Sequence, residues 1–302
     1  MNSPTIATSI FRLPMWGAFV LALLAVLVRN GVEAAPAPSE VRRDIVYAEI
    51  DGAKLALDLH LSKTPQRGPL IVWVHGGAWR AGSKKDMPLG RLVEDGFAVA
   101  SVDYRLSTVA RFPAQVHDIK AAIRFLRAKS GDLGIDARRI VVAGSSAGGH
   151  LAALVGVTNG NAELEGKVGV TGASSDVQAI VSFFGMSDLT TILGQSTPHG
   201  LSVRVPALQL LLGGQPVEVP ALAKLASPVF HVDEKDPPLL LIHGDKDPQA
   251  PFEQSRELEA ACRKAGVRVQ FEAIAGAVHG GAQFFDEERM ALVKKFLGEV
   301  FP

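Results

Sequence analysis

The sequence predicts a doubly wound, mostly parallel α/β sheet with an antiparallel pair of strands at its amino-terminal edge. Three observations carry that expectation. Short, largely apolar runs recur at residues 69–75, 97–103, 140–143, 179–184 and 237–243, which is how strands buried on both faces read. Stretches with apolar residues at helical spacing separate several of these runs, and strands alternating with helices build a parallel sheet covered on both sides. Ahead of them, residues 44–50 and 53–61 alternate in polarity (Leu55, Leu57, Leu59 and Leu61 against Lys54, Asp58 and His60) around Asp51-Gly52. An Asp-Gly pair between alternating segments is a hairpin signal.

The elements follow in order. Residues 1–35 read as an export signal, with Arg12 in a weakly positive start and an uncharged apolar run from Met15 to Val28. That run is shorter than the roughly 20 residues a membrane span needs. Val32 and Ala34 offer the small residues of a cleavage site, although Arg29 directly after the run leaves an uncleaved anchor open. Residues 40–302 are expected to form one domain. Its strand at 69–75 runs into Gly76-Gly77-Ala78-Trp79, and the strand at 97–103 ends in Asp103-Tyr104-Arg105. Pro113 opens a helix in which Val116, Ile119, Ile123 and Leu126 share a face. Residues 140–143 lead into Gly144-Ser145-Ser146-Ala147-Gly148 and a small-residue helix to Val157, and the strand at 179–184 ends at Gly185 to Asp188. Residues 189–236 lose strand character and are expected to form a lid or cap. The strand at 237–243 delivers Gly244-Asp245-Lys246-Asp247, a helix from Phe252 stops at Gly266, and residues 267–274 alternate as a last strand. His279 follows in a glycine-rich loop, and residues 286–301 close the chain as an amphipathic helix.

Composition narrows the partners. The chain has 302 residues, 47% of them hydrophobic, which suffices for one large core. Lys+Arg and Asp+Glu both number 31, so no basic excess exists to neutralise nucleic-acid phosphates. The single cysteine, Cys262, lies in a helical pattern and cannot form an internal disulfide. No stable membrane insertion of the mature chain is expected.

Strand, Gly-x-Ser-x-Gly and helix in direct succession define a nucleophile elbow. The turn leaves no room for side chains at its flanks, so glycines stand there, and the central residue, Ser146 rather than Ser145, is pushed out at the strand's carboxyl end. The next backbone N–H, that of Ala147, lies in the first helical turn, where free donors and the helix dipole favour an oxyanion. Taken alone, the pentapeptide could be a packing turn. Its weight comes from His75-Gly76-Gly77, Asp245/Asp247 and His279, which also fall at strand ends, where active sites of such sheets lie. The chain order Ser146, Asp247, His279 is that of an α/β-hydrolase triad.

With His75-Gly76-Gly77-Ala78-Trp79, Asp103-Tyr104-Arg105, the elbow through His150-Leu151-Ala152, and His243-Gly244-Asp245-Lys246-Asp247-Pro248 in this order, the chain resembles the α/β-hydrolase esterases related to hormone-sensitive lipase. The similarity is greatest to their feruloyl- and acetyl-xylan-esterase-like (BD-FAE-like) branch and covers roughly residues 44–302. The resemblance implies an α/β-hydrolase fold with Ser146 as nucleophile, His279 as general base and Asp247 as the acid that orients it. It further implies an oxyanion hole of the Gly77, Ala78 and Ala147 N–H groups, with Ala78 standing where the family's third glycine would be. The expected activity is hydrolysis of short-chain acyl or aryl esters through an acyl-enzyme, with a small-molecule ester as partner and no metal or organic cofactor. Such a reaction should slow as pH falls through about 6.5, where a free histidine protonates.

Other assignments stay open at this level. Asp245 could replace Asp247 as the acid, and the two are a poor metal site without a third ligand nearby. His75 reads as a shaper of the oxyanion turn, and His117, His150 and His231 as hydrogen-bonded core or surface histidines. Asp188, Trp79 and Phe112 could line a pocket. An arylformamidase or amidase could use the same triad, a peptidase of this frame usually carries a further domain, and a non-catalytic binding protein could use the same scaffold.

Overall fold

A computed structural model describes residues 39–302 apart from 64 and 67; the expected export signal, including Arg12, Met15–Val28, Arg29 and Ala34, lies outside the described residues. Strands β1 (Ser39–Ile50) and β2 (Ala53–Ser62) form the expected hairpin. Asp51 and Gly52 both have positive φ, 50° and 79°, which matches the twist a two-residue hairpin turn requires. The remaining strands are β3 (Leu70–Val74), β4 (Ala98–Val102), β5 (Ile140–Ser145), β6 (Ala179–Phe183), β7 (Leu239–Gly244) and β8 (Val269–Ile274). The helices are α1 (Gly90–Glu94), α2 (Ala114–Ala128), α3 (Ser130–Leu133), α4 (Ala147–Gly156), α5 (Ala162–Glu165), α6 (Ile192–Gln195), α7 (Pro198–Leu212), α8 (Pro220–Leu225), α9 (Glu253–Ala265) and α10 (Glu287–Val300).

The eight strands form one sheet in the order β1-β2-β4-β3-β5-β6-β7-β8. The pairs β1–β2 and β2–β4 are antiparallel and the other five are parallel, so this is an α/β-hydrolase sheet with an antiparallel amino-terminal edge. Side chains alternate across it. Along β3, Leu70, Val72 and Val74 enter the larger core with α2, α4 and α7, while Ile71 and Trp73 enter the smaller one with α1 and α10. Every residue of β3 and β4 is buried, which is why both read as unbroken apolar runs.

Between β6 and β7 the chain is helical rather than irregular. Thr197 caps α7 by accepting the Gly200 N–H at 3.0 Å, and Gly213 ends that helix in the left-handed conformation. Ala207, Leu208, Leu211 and Leu212 face the larger core. The helical period is hard to see in the sequence because Pro206 interrupts it and Val205 and Leu210 remain exposed. Among the described residues, no helix is long and apolar enough to cross a membrane.

Candidate active site

The elbow is built by close backbone approach. A Cβ at Gly148 would sit 2.0 Å from the Val74 carbonyl oxygen, and one at Gly144 would sit 2.3 Å from the Gly148 oxygen. Only glycine lets α4 lean on β3 this tightly. Ser146 is left at φ 54°, ψ −119°, a conformation that non-glycine residues adopt only where surrounding contacts hold it. Its N–H donates to the Phe183 carbonyl at 2.8 Å and its carbonyl accepts from the His150 N–H at 2.9 Å.

Three loops at the carboxyl ends of β5, β7 and β8 bring Ser146, Asp247 and His279 together. Ser146 Oγ lies 2.8 Å from His279 Nε2, and His279 Nδ1 lies 2.6 Å from Asp247 Oδ2. The protonation pattern that satisfies both contacts has Nδ1–H donating to the carboxylate and Nε2 accepting from the serine hydroxyl. Asp247 Oδ1 accepts the N–H groups of Gln249 and Ala250, each at 2.8 Å. Burial alone would raise this carboxyl, but hydrogen bonds from His243, His279 and the loop backbone outweigh it and hold it well below the usual carboxylate range. Asp245 is exposed and its Oδ1 accepts the Gly276 N–H at 2.7 Å; it staples the loop after β7 to the segment preceding His279 instead of meeting the imidazole.

The turn after β3 abuts Ser146. A Cβ on Gly76 would lie 3.4 Å from Ser146 Cβ. Gly77, Ala78 and Trp79 take φ of 102°, 50° and 59°, and among the described residues no acceptor engages the Gly77 or Ala78 N–H. As the first residue of α4, Ala147 likewise has an N–H without an intrahelical partner. His75 supports the turn. Its Nδ1–H donates to the Gly76 carbonyl at 2.8 Å, its ring stacks on Tyr104 at 4.4 Å, and burial lowers its pKa.

The Asp103-Tyr104-Arg105 motif has structural partners. Asp103 Oδ1 accepts the Lys84 N–H at 2.7 Å, Tyr104 donates to the His75 carbonyl at 3.1 Å, and Arg105 grips Asp118 bidentately at 2.8 and 2.7 Å. Asp188 caps its own turn by accepting from Thr190, and Phe112 is buried in the larger core. His117 and His231 each place Nε2 on a backbone carbonyl, and Cys262 is buried with its thiol pushed up to about 12. Among the described residues, no three His, Cys, Asp or Glu side chains are grouped to hold a metal ion.

Two groups of residues around the site were not assigned from sequence. His243 is buried and its Nε2–H is shared between Asp247 Oδ2, at 3.2 Å, and the Ala250 carbonyl, at 3.1 Å, while Nδ1 accepts from Ser255. Asp247 therefore carries two imidazoles. The second group couples residues 189–236 to the Gly76–Trp79 turn. Trp79 Nε1–H donates to His150 Nδ1 at 3.1 Å, and His150 Nε2–H donates to the Ala226 carbonyl at 2.7 Å. Burial, with Arg204 nearby, lowers His150 to about 4. Arg204, on α7, holds its guanidinium 5.7 Å from the Trp79 ring centre and donates through Nε to the Gln249 carbonyl at 3.1 Å. The only sequence signal for this group is the placement of Trp79 and His150 just after the two catalytic-looking turns.

The profile of the BD-FAE family matches residues 57–262. Esterase LipQ of Mycobacterium tuberculosis is 34% identical over 205 residues, which cover 67% of this chain and 47% of LipQ. Esterase LipC of the same organism is 33% identical over 246 residues, covering 79% of this chain and 59% of LipC. The isoprenylcysteine alpha-carbonyl methylesterase ICME of Arabidopsis thaliana is 30% identical over 255 residues, covering 80% and 56%. The chain thus spans about half the length of these curated relatives. Among solved structures, a truncated carbohydrate esterase from gut microbiota superposes with a TM-score of 0.77 at 32% identity, over 88% of this chain and 98% of that one. The Est2 esterase of Thermogutta terrifontis with propionate bound gives 0.69 at 29%, over 87% and 94%; that esterase has also been solved phosphorylated by paraoxon.

Proposed function

Because the chain belongs to the BD-FAE family of α/β-hydrolases, we propose that it is a serine carboxylic-ester hydrolase acting on short-chain acyl or aryl esters through an acyl-enzyme. The observation that carries this reading is the unbroken Ser146–His279–Asp247 relay, at 2.8 and 2.6 Å, beside the oxyanion turn. His279 Nε2 takes the Ser146 proton as Oγ attacks the ester carbonyl, and Asp247 stabilises the imidazolium that forms. The Gly77, Ala78 and Ala147 N–H groups receive the developing oxyanion; one such donor is worth about 10²–10³ in rate in other serine hydrolases. The imidazolium then gives its proton to the leaving alcohol. Water, activated by the same imidazole, hydrolyses the acyl-enzyme and restores Ser146.

The test is intact-mass labelling with a fluorophosphonate, on wild type and Ser146→Ala, alongside turnover of p-nitrophenyl acetate and octanoate. The expected result is one adduct, lost in the variant, with acetate preferred. A folded wild type that takes no adduct and turns over neither ester would refute the reading. The esterase names among the relatives, and the paraoxon adduct of the Thermogutta esterase, support this choice of probe.

Export and a lid formed by residues 189–236 belong to the same proposal. Export rests on the sequence of residues 1–35, and a secreted product starting near Ala35 by mass spectrometry is its expected mark. A product retaining Met1 at the membrane would replace it with an anchor.

A further inference from the structure

His243, near the carboxyl end of β7, is fully buried, and both its ring nitrogens are engaged. Nε2 lies 3.2 Å from Asp247 Oδ2 and 3.1 Å from the Ala250 carbonyl oxygen, and Nδ1 lies 2.7 Å from Ser255 Oγ. A carboxylate and a carbonyl only accept, so Nε2 carries the hydrogen and Nδ1 is an acceptor. The Ser255 hydroxyl meets no other acceptor among the described residues, so its hydrogen goes to Nδ1. The ring is thereby fixed in one neutral tautomer that donates toward Asp247. We propose that His243, held by Ser255, is a positioning residue of the esterase: it sets the direction and charge of Asp247 and, through it, how firmly His279 keeps the proton taken from Ser146. The proposal rests on the serine-hydrolase reading above.

The two oxygens of Asp247 have different partners. Oδ1 takes the N–H groups of Gln249 and Ala250, both at 2.8 Å, which fix the carboxylate in its own loop. Oδ2 takes two imidazole N–H groups, from His279 at 2.6 Å and from His243 at 3.2 Å. Two donors on one oxygen compete for the same electron density, so the bond from His243 weakens the pull of Asp247 on His279 and leaves the carboxylate less basic. Burial raises the Asp247 carboxyl, and the hydrogen bonds from His243 and then His279 bring it back down. A carboxylate satisfied by four N–H donors does not take up the proton from the imidazolium. That proton stays on His279, where the leaving alcohol collects it.

The local sequence places both imidazoles on that oxygen. Gly244 follows His243, and a Cβ there would stand 2.3 Å from the Ala277 carbonyl oxygen. Its absence lets the loop carrying His279 close on β7, where the Lys246 N–H donates to the same Ala277 carbonyl at 3.0 Å. The charged and titratable groups facing Asp247 come from three directions. His243 stands on β7 itself, His279 on the loop after β8, and α7 presents Arg204, which feels the Asp247 charge and donates to the Gln249 carbonyl. Against His243, α9 sets Ser255, and the uncharged Phe252 ring before that helix lies edge-on at 5.7 Å. Among the described residues, Asp247 is the one carboxylate paired with His243.

The experiment is the pH profile of kcat and kcat/KM on p-nitrophenyl acetate for wild type, His243→Phe, His243→Gln and Ser255→Ala. His243→Phe keeps a ring but leaves Oδ2 to His279 alone, so the imidazolium is better stabilised. Its acid limb in kcat/KM should move up by about half a pH unit or more. Its plateau kcat should fall about tenfold, with KM nearly unchanged, because the carboxylate has lost an anchor. His243→Gln, whose amide can donate to Asp247 and accept from Ser255, should return the limb to the wild-type position and restore most of the plateau. Ser255→Ala, which releases the tautomer, should move the limb up by less, and it carries the test if His243→Phe does not fold. A limb that stays in place in both variants while only the plateau drops would overturn the proposal, since His243 would then be packing alone. A shift to lower pH, or a folded His243→Gln that behaves like His243→Phe, would overturn it as well. Absence of Ser146-dependent turnover in wild type would strike the esterase reading itself, whereas an active wild type with unmoved limbs in the variants strikes only the role of His243.

Discussion

His150 should make the fold acid-labile, and the size of the effect follows from its surroundings. The ring is fully buried, accepts from Trp79 through Nδ1 and donates to Ala226 through Nε2. Both nitrogens are satisfied only in the neutral form. Protonation would place a cation beside Arg204 and turn Nδ1 into a donor facing the Trp79 donor. Burial and the arginine carry the pKa from 6.5 to about 4. In the unfolded chain the imidazole protonates near 6.5 while the native state resists until about 4, so over that window the unfolded state binds more protons and native stability falls as pH falls. At 1.36 kcal/mol per pH unit the loss is about 3 kcal/mol, complete near pH 4 and absent above pH 7. That is a large share of a typical domain's stability of about 5–15 kcal/mol. Urea unfolding of wild type and His150→Gln at half-unit steps from pH 7.5 to 4 measures it. The glutamine can keep one hydrogen bond, costs some stability at pH 7, and should remove most of the slope between pH 6.5 and 4. A variant that loses stability with acid as steeply as wild type would refute the reasoning.

Trp79→Phe keeps an aromatic ring over Arg204 but strands His150 Nδ1 as a buried acceptor, a cost of about 1–3 kcal/mol. Because Ala78 and Trp79 hold positive φ, the freed turn should relax, lowering kcat about tenfold or more with little change in KM; steady-state kinetics on p-nitrophenyl acetate will show the split. Gly148→Ala forces a Cβ to within 2.0 Å of the Val74 oxygen and should cost at least about 1–3 kcal/mol and abolish fluorophosphonate labelling. Gly90→Ala, which meets nothing within 4 Å, should leave the melting temperature level or slightly raised. Asp236 is pushed up to about 7 by burial. Its ionisation opposes folding as pH rises from about 4 through 7, so Asp236→Asn should raise the melting temperature at pH 8 and change it little at pH 4.

Much of the fold and of the candidate site can be read in the chain because it is locally encoded. Strands buried on both faces must be apolar throughout, so β3 through β7 appear as short runs whatever surrounds them. The elbow needs Gly144 and Gly148 because the backbones of β3, β5 and α4 touch there, and that demand leaves a five-residue signature. The Asp51-Gly52 turn is likewise specified by two positive φ angles. The helices of residues 189–236 are not legible locally because Pro206 and a mixed apolar surface blur their period.

Tertiary structure decided what depends on residues distant in sequence. Asp245 and Asp247 are equivalent as neighbours in a loop. Only the docking of the β7 and β8 loops turns Asp247 onto His279 and gives Asp245 to Gly276. The second imidazole on Asp247, from His243, and the Trp79–His150–Ala226 chain with Arg204 above it depend on contacts between loops that no sequence period reports. Strand, turn and helix preferences act over a few residues and are written in them, whereas hydrogen bonds between distant loops are set by where the packed sheet delivers each loop.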